Sequence, residues 1–304
     1  FITKIWNAAK FCEINQCVYS EGFDPSRVSL ALNRWIISKL AQTEKDIRLA
    51  LEAYRFNDAA ELLYHFTWHT YCDWFLEFAK PIFQGADEIQ SMELRETASW
   101  VRDQVLIIAH PIMPFVTEEL WASTGIDRQN NLIVERWPEY RGLINTESDT
   151  EIDWIVELVS AIRSARAELN VPPSAKIEVK VRGMQQIHID RLCANISLVT
   201  SNARLLKIDF VEQTPNIGGM VHVIFGKATF LLLLEGVVDL VKERQRLEKE
   251  QAKVDTDINK YLVKLNSENF LNKAPKNVIS DVRRKKQVAE VEKKNLIAAL
   301  KLIQ

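Results

Sequence analysis

Cysteine is scarce in this chain and never closely paired. Cys12, Cys17, Cys72 and Cys193 are the only four in 304 residues, with no CxxC spacing. That fits a reducing, cytoplasmic setting and argues against a disulfide framework or a structural zinc ribbon. Long apolar runs are also missing. A membrane-crossing helix needs about 18 apolar residues, whereas ATFLLLLEGVV is short and carries Gly236 near its end. The formal net charge is −2, so there is no global basic field, and any nucleic-acid contact must come from local patches. No basic start with an apolar core and cleavage site is present, which excludes a signal peptide reading. Phe1 is not an initiator methionine and the first residues already read as mid-helix, so the expectation is a piece of a longer protein.

What is present is a helical pattern. In residues 93–121, Leu94, Ala98, Val101, Val105 and Ile108 recur at steps of four and three, on one helix face. Pro111 should stop that helix near His110, and Pro114 can open another, with Glu118 and Glu119 complementing its positive end. Leu120 and Trp121 would supply the second buried face. Two helices meeting at a sharp corner make the keystone of a bundle.

Residues 1–16 are also two-faced. Ile2, Ile5, Trp6, Ala9 and Cys12 gather on one side, and Lys4, Asn7, Lys10 and Phe11 on the other. An exposed aromatic between lysines and an amide suits unpaired bases, which need a π-face and cations for phosphate. A solvated lysine face with Phe11 tucked against a neighbour fits the same residues. Further helices are expected over 33–54, and over 58–80 with Asn57 as cap and Pro81 as stop. Arg34 opens the first of these, either as an RNA contact or in a capping-region ion pair. His65, His69 and Asp73 share a helix face at four-residue spacing, which could reach one zinc but lacks an evident fourth ligand. Packed or hydrogen-bonded histidines fit the aromatic surroundings better, so no metal is expected.

Composition shifts after Trp121, and residues 143–150 read as a linker. Residues 151–235 read as a small α/β module: a helix carrying Arg163 and Arg166, the strand AKIEVKVRG after Pro172–Pro173, a helix over 188–200, and further short strands, with Gly218–Gly219 turning into MVHVIFG. No Gly-rich phosphate loop and no nucleophile with a nearby base appear there. In the remaining residues Leu240, Leu247, Val254 and Tyr261 fall seven apart, with Ile258 and Leu265 in the complementary seam. Val282, Ala289, Leu296 and Ile303 repeat likewise. This predicts an antiparallel coiled-coil hairpin broken at 266–276, with Arg244, Gln251, Lys285 and Glu292 at inner-type positions that should leave it marginal. Residues 242–301 hold 16 Lys+Arg against 9 Asp+Glu, a local +7. Arg283, Arg284, Lys285 and Lys286 form an unbroken basic run, with Lys260, Lys264, Lys273 and Lys276 near the facing end, which suits phosphate binding. A solvated coiled-coil face remains open.

Several segments resemble one family. AHPIMPFVTEELW is similar to a signature in the anticodon-binding bundle of the class I aminoacyl-tRNA synthetases for valine, isoleucine and leucine. FITKIWNAAKF resembles the KLWNAxRF element of valyl-tRNA synthetases, whose basic and aromatic positions face the anticodon loop. This likeness carries the role to Lys4, Lys10 and Phe11, with Lys10 where the family usually has arginine. LEGVVDLVKERQRLEKE and ENFLNKAP resemble the coiled-coil arm of valyl-tRNA synthetases and favour the valine family over the other two.

The resemblance implies a mainly α architecture: an anticodon-binding helical bundle over 1–142, a linker module over 151–235 and a tRNA-binding arm over 237–304. It implies that Lys4, Asn7, Lys10, Phe11 and Arg34 serve the anticodon, and that Lys260, Lys264, Arg283, Arg284, Lys285 and Lys286 hold the outer corner of a valine tRNA. No HIGH tetrapeptide, KMSKS loop or editing insertion is present, so ATP and magnesium belong to a catalytic part that this chain lacks. A cytoplasmic monomer that binds neither DNA nor membrane is expected. Two other classes remain open: a coiled-coil protein-interaction module, and a helical metalloenzyme built on His65, His69 and Asp73.

Overall fold

The computed structural model describes residues 1–125, 128, 130–213, 219–267 and 275–303. The expected turns at Gly218 and at ENFLNKA, with Lys273, lie outside them. The chain divides into two compact units, Phe1–Val156 and Glu157–Gln304, and the division falls inside one helix. Among the described residues no helix is long and apolar enough to cross a membrane. The expected mainly helical fold with a small α/β module is what the structure has.

The first unit is a helical bundle: α1 (Ile2–Ile14), α2 (Ala31–Glu52), α3 (Phe56–His65), a π-helical segment (Phe66–Phe75), α4 (Leu76–Phe83), α5 (Glu88–Ala109) and α6 (Pro114–Thr124), then the start of α7 (Thr146–Glu168). Leu94, Ala98, Val101, Val105 and Ile108 of α5 are all buried, as their spacing requires. The corner after α5 is held by His110, whose Nδ1 lies 2.8 Å from the buried Thr117 hydroxyl, while that hydroxyl donates to the Met113 carbonyl. Pro114 takes the first position of α6. The first turn of α6 carries no acidic residue, so Glu118 and Glu119 do not act on its dipole. Glu118 accepts instead from the Leu132 amide, 2.9 Å away, anchoring the chain beyond α6.

Two helix boundaries differ from expectation. Helix α3 starts at Phe56, with Arg55 and not Asn57 before it. The helical run also passes through Pro81 to Phe83. Proline's missing donor removes one backbone bond there, and the helix closes just beyond it, where the Gln84 amide reaches the Lys80 carbonyl at 3.1 Å.

The chain has only nine glycines. Gln16, Tyr54 and Asn170, just past α1, α2 and α7, and Arg204, just past the helix Ile196–Asn202, take the left-handed turn in place of glycine, with positive φ of 50–58°. After α1, the Cys17 amide bonds Cys12 O and the Gln16 amide bonds Glu13 O, the paired bonds of a Schellman stop. That stop brings two buried cysteines together as its apolar contact.

The second unit holds the rest of α7 and a four-stranded sheet of β1 (Ile177–Arg182), β2 (Leu205–Phe210), β3 (Met220–Phe225) and β4 (Ala228–Leu233), in order β2-β1-β4-β3. β1 and β2 are parallel, joined through α8 (Gln186–Ala194) and α9 (Ile196–Asn202), which replace the single helix expected over 188–200. Arg163 and Arg166 are structural: Arg163 donates to Asn202 O at 2.9 Å, and Arg166 to Ala175 O at 2.7 Å.

Helices α10 (Leu240–Asn266) and α11 (Lys276–Leu302) form the antiparallel hairpin, each 27 residues and so about 40 Å long. Leu247, Val254 and Ile258 pack with Ala289, Leu296 and Ala299. The charged inner positions are corrected. Arg244, Lys285 and Glu292 are exposed, and Lys286 and Lys293 flank the seam one residue later. A straight helix drifts about 20° per heptad, which carries the strict seven-residue seam sideways. Lysine stems can cover apolar surface while their heads reach carboxylates. Lys293 meets Asp255 on the opposite helix at 2.6 Å.

Two stability outcomes follow. Glu93 accepts from the amides of Ser29 and Leu30 and from Asn33; burial pushes its carboxyl up, but these bonds outweigh burial and lower it. Its contribution is therefore present above pH 4.5, its ordinary value, and lost as pH falls through the lower folded one. Glu93→Ala should cost about 1–3 kcal/mol at pH 7 and less at pH 3, read by urea unfolding at both. Gln16→Gly should add about 0.5–1 kcal/mol, the relief of left-handed strain less the entropy glycine gives the unfolded chain. A lower denaturation midpoint would contradict it.

Candidate nucleic-acid interface

The buried face of α1 is Ile5, Ala8, Ala9 and Cys12, rotated roughly 50° from the apolar side expected. Ile2 and Trp6 are consequently exposed, whereas Lys4 and Phe11 turn to the flank that meets the π-helical segment and α4. Lys4 Nζ sits 2.8 Å from Asp73 Oδ1 and 4.7 Å above the Trp68 ring. Burial alone would lower its pKa, but the Asp73 hydrogen bond and charge outweigh it and hold the ammonium above the ordinary lysine value. Phe11 is half-buried, its ring 6.2 Å from Phe83 and beneath Lys80 at 5.9 Å. Asn7 and Lys10 face solvent, Lys10 bonded to Glu13 at 2.6 Å.

The four α1 residues thus stay on one side of the helix but are not equally free. Arg34 is exposed and, among the described residues, meets no carboxylate; its Nε donates to Val28 O at 2.9 Å, closing the turn before α2. Among the described residues no contact joins it to the α1 set.

The π-helical segment supplies what the sequence reading left out. Tyr64 and Trp68 stack at 5.4 Å and 26°, and Phe1 leans on Tyr64 at 5.3 Å. His65 and His69 lie beside them, 5.4 Å apart. Both histidines are largely exposed but rest edge-on against the Tyr64 ring, at 5.9 and 6.0 Å, and His69 Nδ1 is 3.4 Å from Asp73. Asp73 is thereby shared between Lys4 and His69. Among the described residues no group of three acidic, cysteine or histidine side chains converges as a metal site. The signal was available in the aromatic spacing of 64 and 68, which matches that of 65 and 69, but buried and exposed aromatics look alike in a sequence.

On the arm, a groove lined by Asp257, Tyr261, Arg284 and Lys285 brings the end of α10 opposite the basic run of α11. Arg284 and Lys285 both bind Asp281 at 2.8 Å and hold its carboxyl below the usual range. Lys286 bonds Glu290, and Lys260 bonds Asp257, each at 2.9 Å. Arg283 and Lys264 are exposed and, among the described residues, have no carboxylate partner.

A bundle with an aromatic, partly basic flank, followed by a basic hairpin, defines a class: the anticodon-binding region of a tRNA ligase. Residues 33–181 match the family model for the anticodon-binding domain of tRNA ligase, and residues 239–304 that for the valyl tRNA synthetase tRNA binding arm. Valine–tRNA ligases of Caulobacter vibrioides, Nitrobacter winogradskyi and Rhizobium meliloti are 41%, 37% and 39% identical to it over 99% of the chain. The chain covers 33%, 34% and 32% of those proteins, about a third of their length. The chain belongs to the valyl-tRNA synthetase family.

Removing the Asp73 charge should lower the Lys4 pKa, since burial then acts with less opposition. An Asp73→Asn variant, followed by NMR titration of the lysine ε-carbon, reads this directly; an unmoved or higher value would contradict the pairing.

Proposed function

We propose that this chain is the tRNA-gripping portion of a valine–tRNA ligase. The bundle holds the anticodon through Lys4, Asn7, Lys10 and Phe11, and the arm holds the backbone at the outer corner of a valine tRNA. The whole enzyme attaches valine to that tRNA with ATP and magnesium and hydrolyses mischarged threonine, in parts that this chain does not include. It works in the cytoplasm as a monomer. The observation that carries the reading is the arrangement of an anticodon-domain match and a valine-type arm match along a single chain.

Each patch has a distinct physical role. Phe11 offers one face to a base, worth about 1–3 kcal/mol, with Lys10 and Lys4 supplying charge. The arm residues act on phosphates, which position the tRNA without reading its sequence. Occupying two separated patches raises avidity through effective concentration. Arg34 is the weakest member, since its Nε is already committed to the backbone.

Titration of the 304-residue chain with valine tRNA and an anticodon-swapped counterpart, at two salt concentrations, tests the proposal. Salt-sensitive binding that prefers the valine anticodon is expected. Phe11→Ala should weaken the cognate complex chiefly, while Arg283→Gln with Lys264→Gln should weaken both and reduce the salt slope by about two. Equal losses on all anticodons for Phe11→Ala would remove the bundle role, and an unchanged slope the arm role. Binding governed by seam residues such as Leu247, with mass dependent on concentration, would indicate a protein-interaction module instead.

A further inference from the structure

We propose that the Phe1–Tyr64–Trp68 ring shelf, where α3 runs into the π-helical segment, is a second base-stacking surface, which takes an unpaired anticodon-loop base alongside the α1 residues. The inference rests on the functional reading above and extends the site to an element outside α1.

Three independent observations meet at this place. The first is ring geometry. Tyr64 stacks on Trp68 at 5.4 Å with an interplanar angle of 26°, and Phe1 continues the row at 5.3 Å. Tyr64 is 36% exposed, so the row reaches the surface and does not lie within the core. The second is charge. Lys4 is held 4.7 Å over Trp68 by its bond to Asp73, which fixes a cation beside the rings without covering Tyr64. A stacked base carries a phosphate within a few ångströms, and a cation there complements it. His65 and His69 flank the row with exposed rings able to hydrogen-bond a base edge. The third is backbone. Residues Phe66–Phe75 are π-helical, a wide-turned conformation uncommon in helix interiors and frequent at functional sites. Positions 64 and 68 share a face as i and i+4, and with more than four residues per turn 68 and 73 stay closer in line than in an ordinary helix. The shelf lies on the flank of α1 that carries Lys4 and Phe11, so one loop can reach both.

The test uses the 304-residue chain and two probes, valine tRNA and its anticodon-swapped counterpart, each also made with 2-aminopurine at one anticodon position at a time. Tyr64→Ala should weaken the valine tRNA roughly five- to hundredfold, shrink the anticodon preference and abolish the fluorescence quenching at one position. Tyr64→Phe should keep all three, because the ring remains. If Tyr64→Ala lowers the melting temperature appreciably, Tyr64→Leu replaces it, being bulky and apolar but lacking a π-face. Wild-type binding that prefers the valine anticodon, with Tyr64→Ala and Tyr64→Leu within twofold of it, overturns the shelf and leaves the broader reading standing. Wild-type binding without anticodon preference, or none at all, overturns both.

Discussion

The connection between α1 and α2 has little regular structure, a single 3-10 turn at Pro25–Arg27, and side chains of α5 supply many of its backbone partners. Arg95 donates to Asn15 O at 2.9 Å, Ser99 to Val18 O at 2.9 Å and Arg102 to Cys17 O at 3.1 Å. Glu96 accepts from Ser20, and Glu93 from the Ser29 and Leu30 amides. Buried backbone groups left without partners would cost free energy comparable to lost hydrogen bonds. This row of side chains therefore fixes the exit of α1 and the entry of α2 together. The apolar face of the same helix builds the core, so one element sets both the packing and the threading of the bundle.

From that constraint the site follows. Once the end of α1 is pinned, Cys12 is driven under the π-helical segment, where its Sγ lies 3.4 Å from the Tyr71 hydroxyl. The rotation this imposes puts Lys4 against Asp73 and Trp68, and Phe11 against Phe83. The surface is thus partly preorganised: its cation and one of its rings are held by neighbours before any ligand arrives. The arm is built differently. It is a long hairpin with a thin apolar seam, and several of its cations are neutralised by carboxylates three or four residues away on the same helix. Exposed pairs of that kind contribute little to stability. They are easily exchanged for phosphate contacts, which suits a surface that positions without reading.

Much of the architecture was legible from periodicity. The α5 face, the corner at His110 and Pro114, the sheet segments and the heptad seams all rest on local patterns, and local patterns survive into the fold. The site was legible only in part. Lys4, Asn7, Lys10 and Phe11 share a side of α1 as their spacing requires, but spacing could not say that Lys4 would be ion-paired or Trp6 exposed. Tyr64 and Trp68 stood out only as members of an aromatic-rich helix, because buried and exposed aromatics look alike in a sequence.

The sequence by itself determined the helical periods, the prolines that close and open helices, and the charge imbalance of the arm, because each depends on residues within a turn or a heptad. Tertiary structure alone decided which carboxylate meets which cation, that the helix would widen to a π-helix at Phe66, and that Arg283 and Lys264 meet no carboxylate among the described residues. Those outcomes depend on side chains brought together from distant positions, such as Lys4 and Asp73, 69 residues apart. A rotation of α1 by half a turn would reassign the residues on its flank while leaving its sequence pattern unchanged.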